Sequence, residues 1–234
     1  MILRALCTGA LAAVLASSAA RAQEPPCRLA LAMGMDISSS VNSEEFDIQL
    51  GGLVAALRDS EVRDAILAVP GTQVQAMVFE WSGYVQQDAI IRWTRLSTEA
   101  EIDAFADRLA AHRRVYSDFP TAIGRAVAYA LEEFARLPVP CARLVLDLSG
   151  DGASNDGPEA TEFWPELAVA GVTVNALVIA GATPDPVAHY RDTVITGPNA
   201  FHLVAINGFA DYPALIKGKL LRELAPLMIL SEAP

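Results

Sequence analysis

Apolar residues gather in six runs of strand length, at positions 29–35, 74–79, 89–93, 144–148, 172–180 and 201–206. The stretches between most of them repeat apolar side chains near the helical period. After the first run, Ser43 can cap a helix that carries Phe46, Leu50, Leu53, Val54 and Leu57 on one face, with Glu44 and Glu45 in its first turn, where the helix dipole favours acids. Gly51 and Gly52 weaken that helix. Thr98 and Glu101 have capping-box spacing ahead of Ile102, Phe105, Ala106 and Leu109, and Ile123, Val127, Leu131 and Phe134 form the next apolar stripe. Pro158 suits a first helical turn and Gly171 the end of that helix. Two further helices fit positions 185–193 and 209–224.

Strands alternating with helices predict an α/β fold, a doubly wound and mostly parallel six-stranded sheet with helices on both faces. The connection at 82–84 is too short for a crossover helix, so the second and third strands should pair antiparallel as an edge hairpin. In open sheets of this kind, ligands sit beyond the carboxyl ends of the strands, where the strand order reverses.

Residues 1–22 break the pattern. Arg4, the short apolar stretch 10–16 and the small-residue sequence Ala20-Arg21-Ala22 read as a signal peptide cleaved after Ala22, with 23–234 as one domain. The apolar stretch is shorter than the roughly 20 residues a membrane span requires, and no later run is long enough either. We therefore expect a periplasmic or secreted protein without a membrane span. The net charge of −11, with no basic cluster longer than His112-Arg113-Arg114, argues against nucleic acid, whose phosphates draw their affinity from Lys and Arg. Cys7 falls in the leader. Cys27 and Cys141 remain, and an even pair in an exported protein suggests a disulfide.

The chemistry gathers at strand ends. Directly after the first run comes Asp36-Ile37-Ser38-Ser39-Ser40, in which Asp36, Ser38 and Ser40 alternate and, in an extended turn, face one side. Thr121 opens the helix of Ile123 and Val127, and Asp151-Gly152 follows the fourth run. Singly, each has a plain reading: Ser40 or Ser43 as a helix cap, Thr121 after Pro120 as a cap, Asp151-Gly152 as a turn. Together they offer three hydroxyls and two carboxylates, the oxygen set that suits a hard divalent cation such as Mg²⁺. Asp147 stays open: it either pairs with a nearby donor inside the fourth strand or marks an earlier strand end. His112, His189 and His202 show no ligand spacing, and neither a Gly-x-Ser-x-Gly elbow nor a phosphate loop with Lys is present. Trp81, Trp93 and Trp164 read as packing residues, although Trp81 and Tyr84 could line the rim of the site. Asp118 and Asp156 read as solvated loop residues or contributors to the outer shell of the metal.

These motifs resemble the von Willebrand factor type A (VWA) domains, whose metal-ion-dependent adhesion site is written D-x-S-x-S, then Thr, then Asp. The chain is similar in particular to a group of exported bacterial members without an assigned role. The resemblance implies strand order 3-2-1-4-5-6. It also implies a cation (Mg²⁺, or Mn²⁺ or Ca²⁺) held by Asp36, Ser38, Ser40, Thr121 and Asp151, with the serines and threonine as direct ligands and a carboxylate of a protein partner completing the shell. In that order the first and fourth strands are parallel neighbours, which would let Cys27 and Cys141 meet at the edge opposite the metal. The expected function is a binding and adhesion module rather than an enzyme. The alternative is a metal-assisted hydrolase or phosphoryl-transfer enzyme, which needs a base or nucleophile beside the metal. No His, Cys or Lys lies in the three motif segments.

Overall fold

The computed structural model describes residues 24–226; the expected leader, 1–22, lies outside the described residues. The elements run β1 (Cys27–Asp36), α1 (Ser43–Arg58), α2 (Ser60–Leu67), β2 (Gln73–Trp81), β3 (Gln87–Leu96), α3 (Glu99–Ala110), α4 (Ile123–Phe134), β4 (Leu144–Gly150), α5 (Trp164–Ala170), β5 (Val172–Ile179), α6 (Pro186–His189), β6 (His202–Ala205) and α7 (Tyr212–Leu224). The six strands form one sheet in the order β3-β2-β1-β4-β5-β6. Only β2 and β3 pair antiparallel; every other neighbouring pair is parallel. Among the described residues, no helix is long and apolar enough to cross a membrane.

The alternation of side chains along β1 divides the core. Leu29, Leu31, Met33 and Met35 join α1, α2, α3 and α7 on one face, whereas Ala30 and Ala32 face α4, α5 and the segment after α6. Because both faces are covered, β1 reads as a continuous apolar run rather than a half-polar one.

Local chemistry moves several boundaries. Asn42, not Ser43, caps α1, and it forms a reciprocal capping box with Glu45. The helix passes through Gly51 and Gly52. A Cβ at Gly52 would lie 3.2 Å from Pro213 Cα, so the missing side chain lets α7 approach. Asp59 ends α1 and caps the separate helix α2. Thr98 does cap α3, but Glu101 reaches past it to Ser97 and Arg95. The segment expected to start a helix at Pro158 begins as a 3₁₀ turn, Ala160–Phe163; Pro165 takes the first turn of α5, and Gly171 ends it in the left-handed conformation at φ 70°. The helix expected at 185–193 is α6 followed by a π-helical turn, Tyr190–Val194.

At the amino-terminal ends of β1 and β4, Cys27 and Cys141 form a disulfide, with Cα atoms 4.5 Å apart across parallel neighbours. The opposite ends of the same two strands carry Asp36 and, one residue past β4, Asp151.

Candidate metal centre

Asp36 is the last residue of β1 and is fully buried. Its Oδ1 accepts the Ser38 N–H at 2.7 Å, which bends the chain sharply after the strand. The bend brings Ser38 Oγ within 3.2 Å of Ser40 Oγ, and Ser40 Oγ donates to Asp151 Oδ1 at 2.6 Å. Four of the five expected ligands thus form one hydrogen-bonded chain from β1 to the loop after β4. Ser39 is exposed, and its N–H is held by the Phe119 carbonyl at 2.9 Å.

Thr121 joins through backbone locks. Its N–H donates to Asn155 Oδ1 at 2.8 Å, and its carbonyl accepts from Asn155 and Asp156 N–H. A Cβ placed on Gly152 would have Thr121 Oγ1 at 3.5 Å and Ser40 Oγ at 4.0 Å, so both hydroxyls converge on the backbone beside Asp151. Among the described residues, no group of three or more His, Cys, Asp or Glu side chains could hold a metal. The donor set here is mixed, three hydroxyls with two carboxylates.

The electrostatics fit a cation. Burial, with the charge of Asp151 second, pushes the Asp36 carboxyl up to about 7, and burial raises Asp151 as well. Two acids that each disfavour ionisation are what a divalent cation would reverse. Asp36 Oδ2 is buried without a hydrogen-bond partner, as are Tyr190 Oη and Trp81 Nε1. Asp36 Oδ2 and Tyr190 Oη both border Gly150, where a Cβ would collide with the tyrosine oxygen and sit 2.9 Å from Asp36 Oδ2. Burial raises the Tyr190 phenol far above its ordinary value, with Asp36 and Asp151 adding to the effect.

The remaining candidates separate. Trp81 is wholly buried in β2 and does not line a rim, because that strand runs two residues further than its apolar run; Tyr84 is 50% exposed and lies against Arg125 and Gly157. Asp156 accepts the Tyr84 N–H at 2.8 Å and so orders the loop beside Thr121, whereas Asp118 is an exposed partner of Ser117. Asp147 belongs to neither the site nor a strand end. It is buried in mid-strand and ion-paired at 2.5 Å with Lys219 of α7, which also binds Glu223 at 2.6 Å. Two residues escaped the sequence reading, Arg114 and Glu80. The first donates to the carbonyls of Ile37, Ser38 and Val41, and the second accepts from His112 and from the Val115 N–H. The signal for Arg114 lay in the His112-Arg113-Arg114 cluster, which sequence reasoning set only against nucleic-acid binding.

A family model described as a protein of unknown function (DUF1194) matches residues 26–228. The chain belongs to the DUF1194 family. A search of curated proteins gave no match to it. Among solved structures, this DUF1194 chain is similar to proximal thread matrix protein 1 from the mussel byssus, at 18% identity and TM-score 0.63, over 86% of this chain and 49% of the other. It is also similar to the same mussel protein with a zinc-occupied MIDAS motif, at 15% identity and TM-score 0.58, over 85% and 46%. A von Willebrand factor type A protein from Catenulispora acidiphila gives 15% identity and TM-score 0.56, over 85% and 43%. The DUF1194 chain thus spans about half the length of these structures. At such identities the likeness establishes the fold, and that fold is VWA-like.

Proposed function

We propose that this protein is an exported, metal-dependent binding module that captures an acidic group of a protein partner. The reading rests on one observation: the Ser38–Ser40–Asp151 hydrogen-bonded chain converges with Thr121 beside a buried Asp36 whose second oxygen has no partner. Ser38, Ser40 and Thr121 would hold a divalent cation (Mg²⁺, or Mn²⁺ or Ca²⁺) by their hydroxyl oxygens, with Asp36 and Asp151 supplying two negative charges. When bound, the cation supplies a Lewis-acidic position that two carboxylates alone do not saturate, open to a carboxylate of a partner. The mussel protein with the zinc-occupied MIDAS motif supports metal binding on this fold.

The surroundings favour a protein partner. Of the exposed large apolar side chains among the described residues, Tyr84, Val85, Val115 and Phe119 lie on the two connections bordering the site; only Val169 and Ile206 lie elsewhere. Against the hydrolase reading, the imidazoles near these loops are committed. His189 Nε2 is taken by the Ser154 N–H at 3.2 Å, and His112 Nε2 by Glu80 at 2.7 Å.

Calorimetric titration of the mature protein with Mn²⁺ should show one site that Asp36→Ala abolishes while leaving the circular dichroism spectrum intact. Equal affinity in the two proteins would refute the site. Partners captured from the exported fraction should be released by EDTA, and capture undiminished by the chelator would refute metal-dependent adhesion.

A further inference from the structure

The segment 37–41, which carries Ser38 and Ser40, forms a single turn, Val41 N–H to the Ser38 carbonyl at 3.0 Å, and its Ile37 and Ser39 N–H groups are held by the Trp81 and Phe119 carbonyls; α1 begins only at Ser43. Three of its carbonyl groups also meet one side chain. Arg114 Nη2 donates to the carbonyls of Ile37 at 2.8 Å and Ser38 at 3.1 Å, and Nη1 to that of Val41 at 2.6 Å. Its Nε donates to the Tyr116 carbonyl at 2.5 Å, closing its own strand of loop around the fork. Phe46, in the first turns of α1, lies 5.9 Å beneath the guanidinium.

Arg114 is itself anchored. Glu80, fully buried in β2 beside Met35 of β1, accepts from Val115 N–H at 3.3 Å and pairs with His112 at 2.7 Å, so one residue on either side of Arg114 is tied to the sheet. The connection that carries Arg114 also carries Phe119, which holds Ser39, and ends at Thr121. One planar cation therefore ties the serine loop to the segment that delivers the threonine.

From this geometry we infer that Arg114 is the positioning residue of the metal centre. By drawing three carbonyl oxygens to the side away from Asp36, it fixes the peptide planes of 37–41 so that the Ser38 N–H and the Ser38 and Ser40 hydroxyls face Asp36 and Asp151. This inference rests on the proposed metal-binding function. The fork is essential to it: a guanidinium presents five donors in a rigid plane, whereas a lysine ammonium is a compact point charge on a flexible stem and cannot span the same oxygens. Groups that orient metal ligands commonly contribute 10–100-fold to affinity.

The test compares Mn²⁺ binding in wild type, Arg114→Gln and Arg114→Lys, by calorimetry and by the electron paramagnetic resonance spectrum of the bound ion. Thermal unfolding is followed in EDTA. Both variants should stay folded and lose affinity by about 10-fold or more, Arg114→Lys should fail to rescue, and the spectrum should broaden as ligand geometry loosens. Wild-type affinity and spectrum in either folded variant would overturn the inference. So would loss of folding in both, since the arginine would then serve the fold instead of the site. A wild-type protein that binds no Mn²⁺ refutes the proposed function itself; wild-type binding with variants indistinguishable from it refutes only the role of Arg114.

Discussion

Gly150, where β4 ends, is held to hydrogen by three neighbours rather than by its backbone angles. Tyr190 Oη, Asp36 Oδ2 and Trp81 Cζ2 leave no room for a methyl group. Gly150→Ala should therefore destabilise the fold by about 1–3 kcal/mol, the usual range for overpacking. It should also weaken Mn²⁺ binding by displacing the Asp36 carboxylate. Urea unfolding and titration of the same sample check both, and unchanged values would mean that Tyr190 yields at no cost. At this scale the sequence shows the candidate ligands only in conjunction, because the D-x-S-x-S run, the threonine and the aspartate each have a plain reading as a cap or turn when taken singly. It hides their supports. Arg114 acts on residues more than seventy positions away, and Tyr190 comes to the Gly150 backbone beside Asp36 from a π-helical turn that no periodicity announces.

Among elements, α7 is joined to the sheet by buried charge as well as by apolar packing. Lys219, fully buried, sits between Asp147 of β4 and Glu223 of its own helix, and Asn175 of β5 donates to Glu223 at 2.8 Å. Two carboxylates around one ammonium leave one negative charge in excess in a buried site. Burial, with the charge of Glu223 second, pushes Asp147 up from 3.8 to about 7. The folded protein then holds a proton that the unfolded chain releases near pH 4, so this contribution to stability is complete below pH 4 and is lost as pH rises through 7. In EDTA, the free energy of unfolding should fall between pH 5 and pH 8, and Asp147→Asn should flatten that fall. Denaturant titrations at several pH values test this; parallel slopes in the two proteins would refute it. Asp36 contributes with the same sign, so the difference between the proteins isolates Asp147. The partner of Asp147 was not legible in the sequence because it lies 72 positions downstream, whereas the strand itself was plain from its apolar run. The separate helix α2 was missed for a local reason: Asp59 both ends one helix and caps the next, and no glycine or proline marks the break.

For the whole molecule, the alternation of runs marks a mostly parallel sheet and one short connection marks its antiparallel edge, whereas the strand order comes only through the resemblance to VWA domains. The covalent bond has a consequence for force. At one end, β1 carries Asp36 and β4 leads to Asp151. Their far ends are welded by Cys27 and Cys141. Pulled from its termini, the protein carries the load across this bond, and the chain between the cysteines forms a closed loop outside the line of load that cannot unravel. In single-molecule stretching from the termini, the oxidised protein should release only the length outside the loop. With 114 positions of separation and ~3.3–3.6 Å per extended residue, the reduced protein should yield about 400 Å more. Equal extensions before and after reduction would show that the bond lies off the load path, whereas the expected difference would make this disulfide a mechanical stop built into that strand pair.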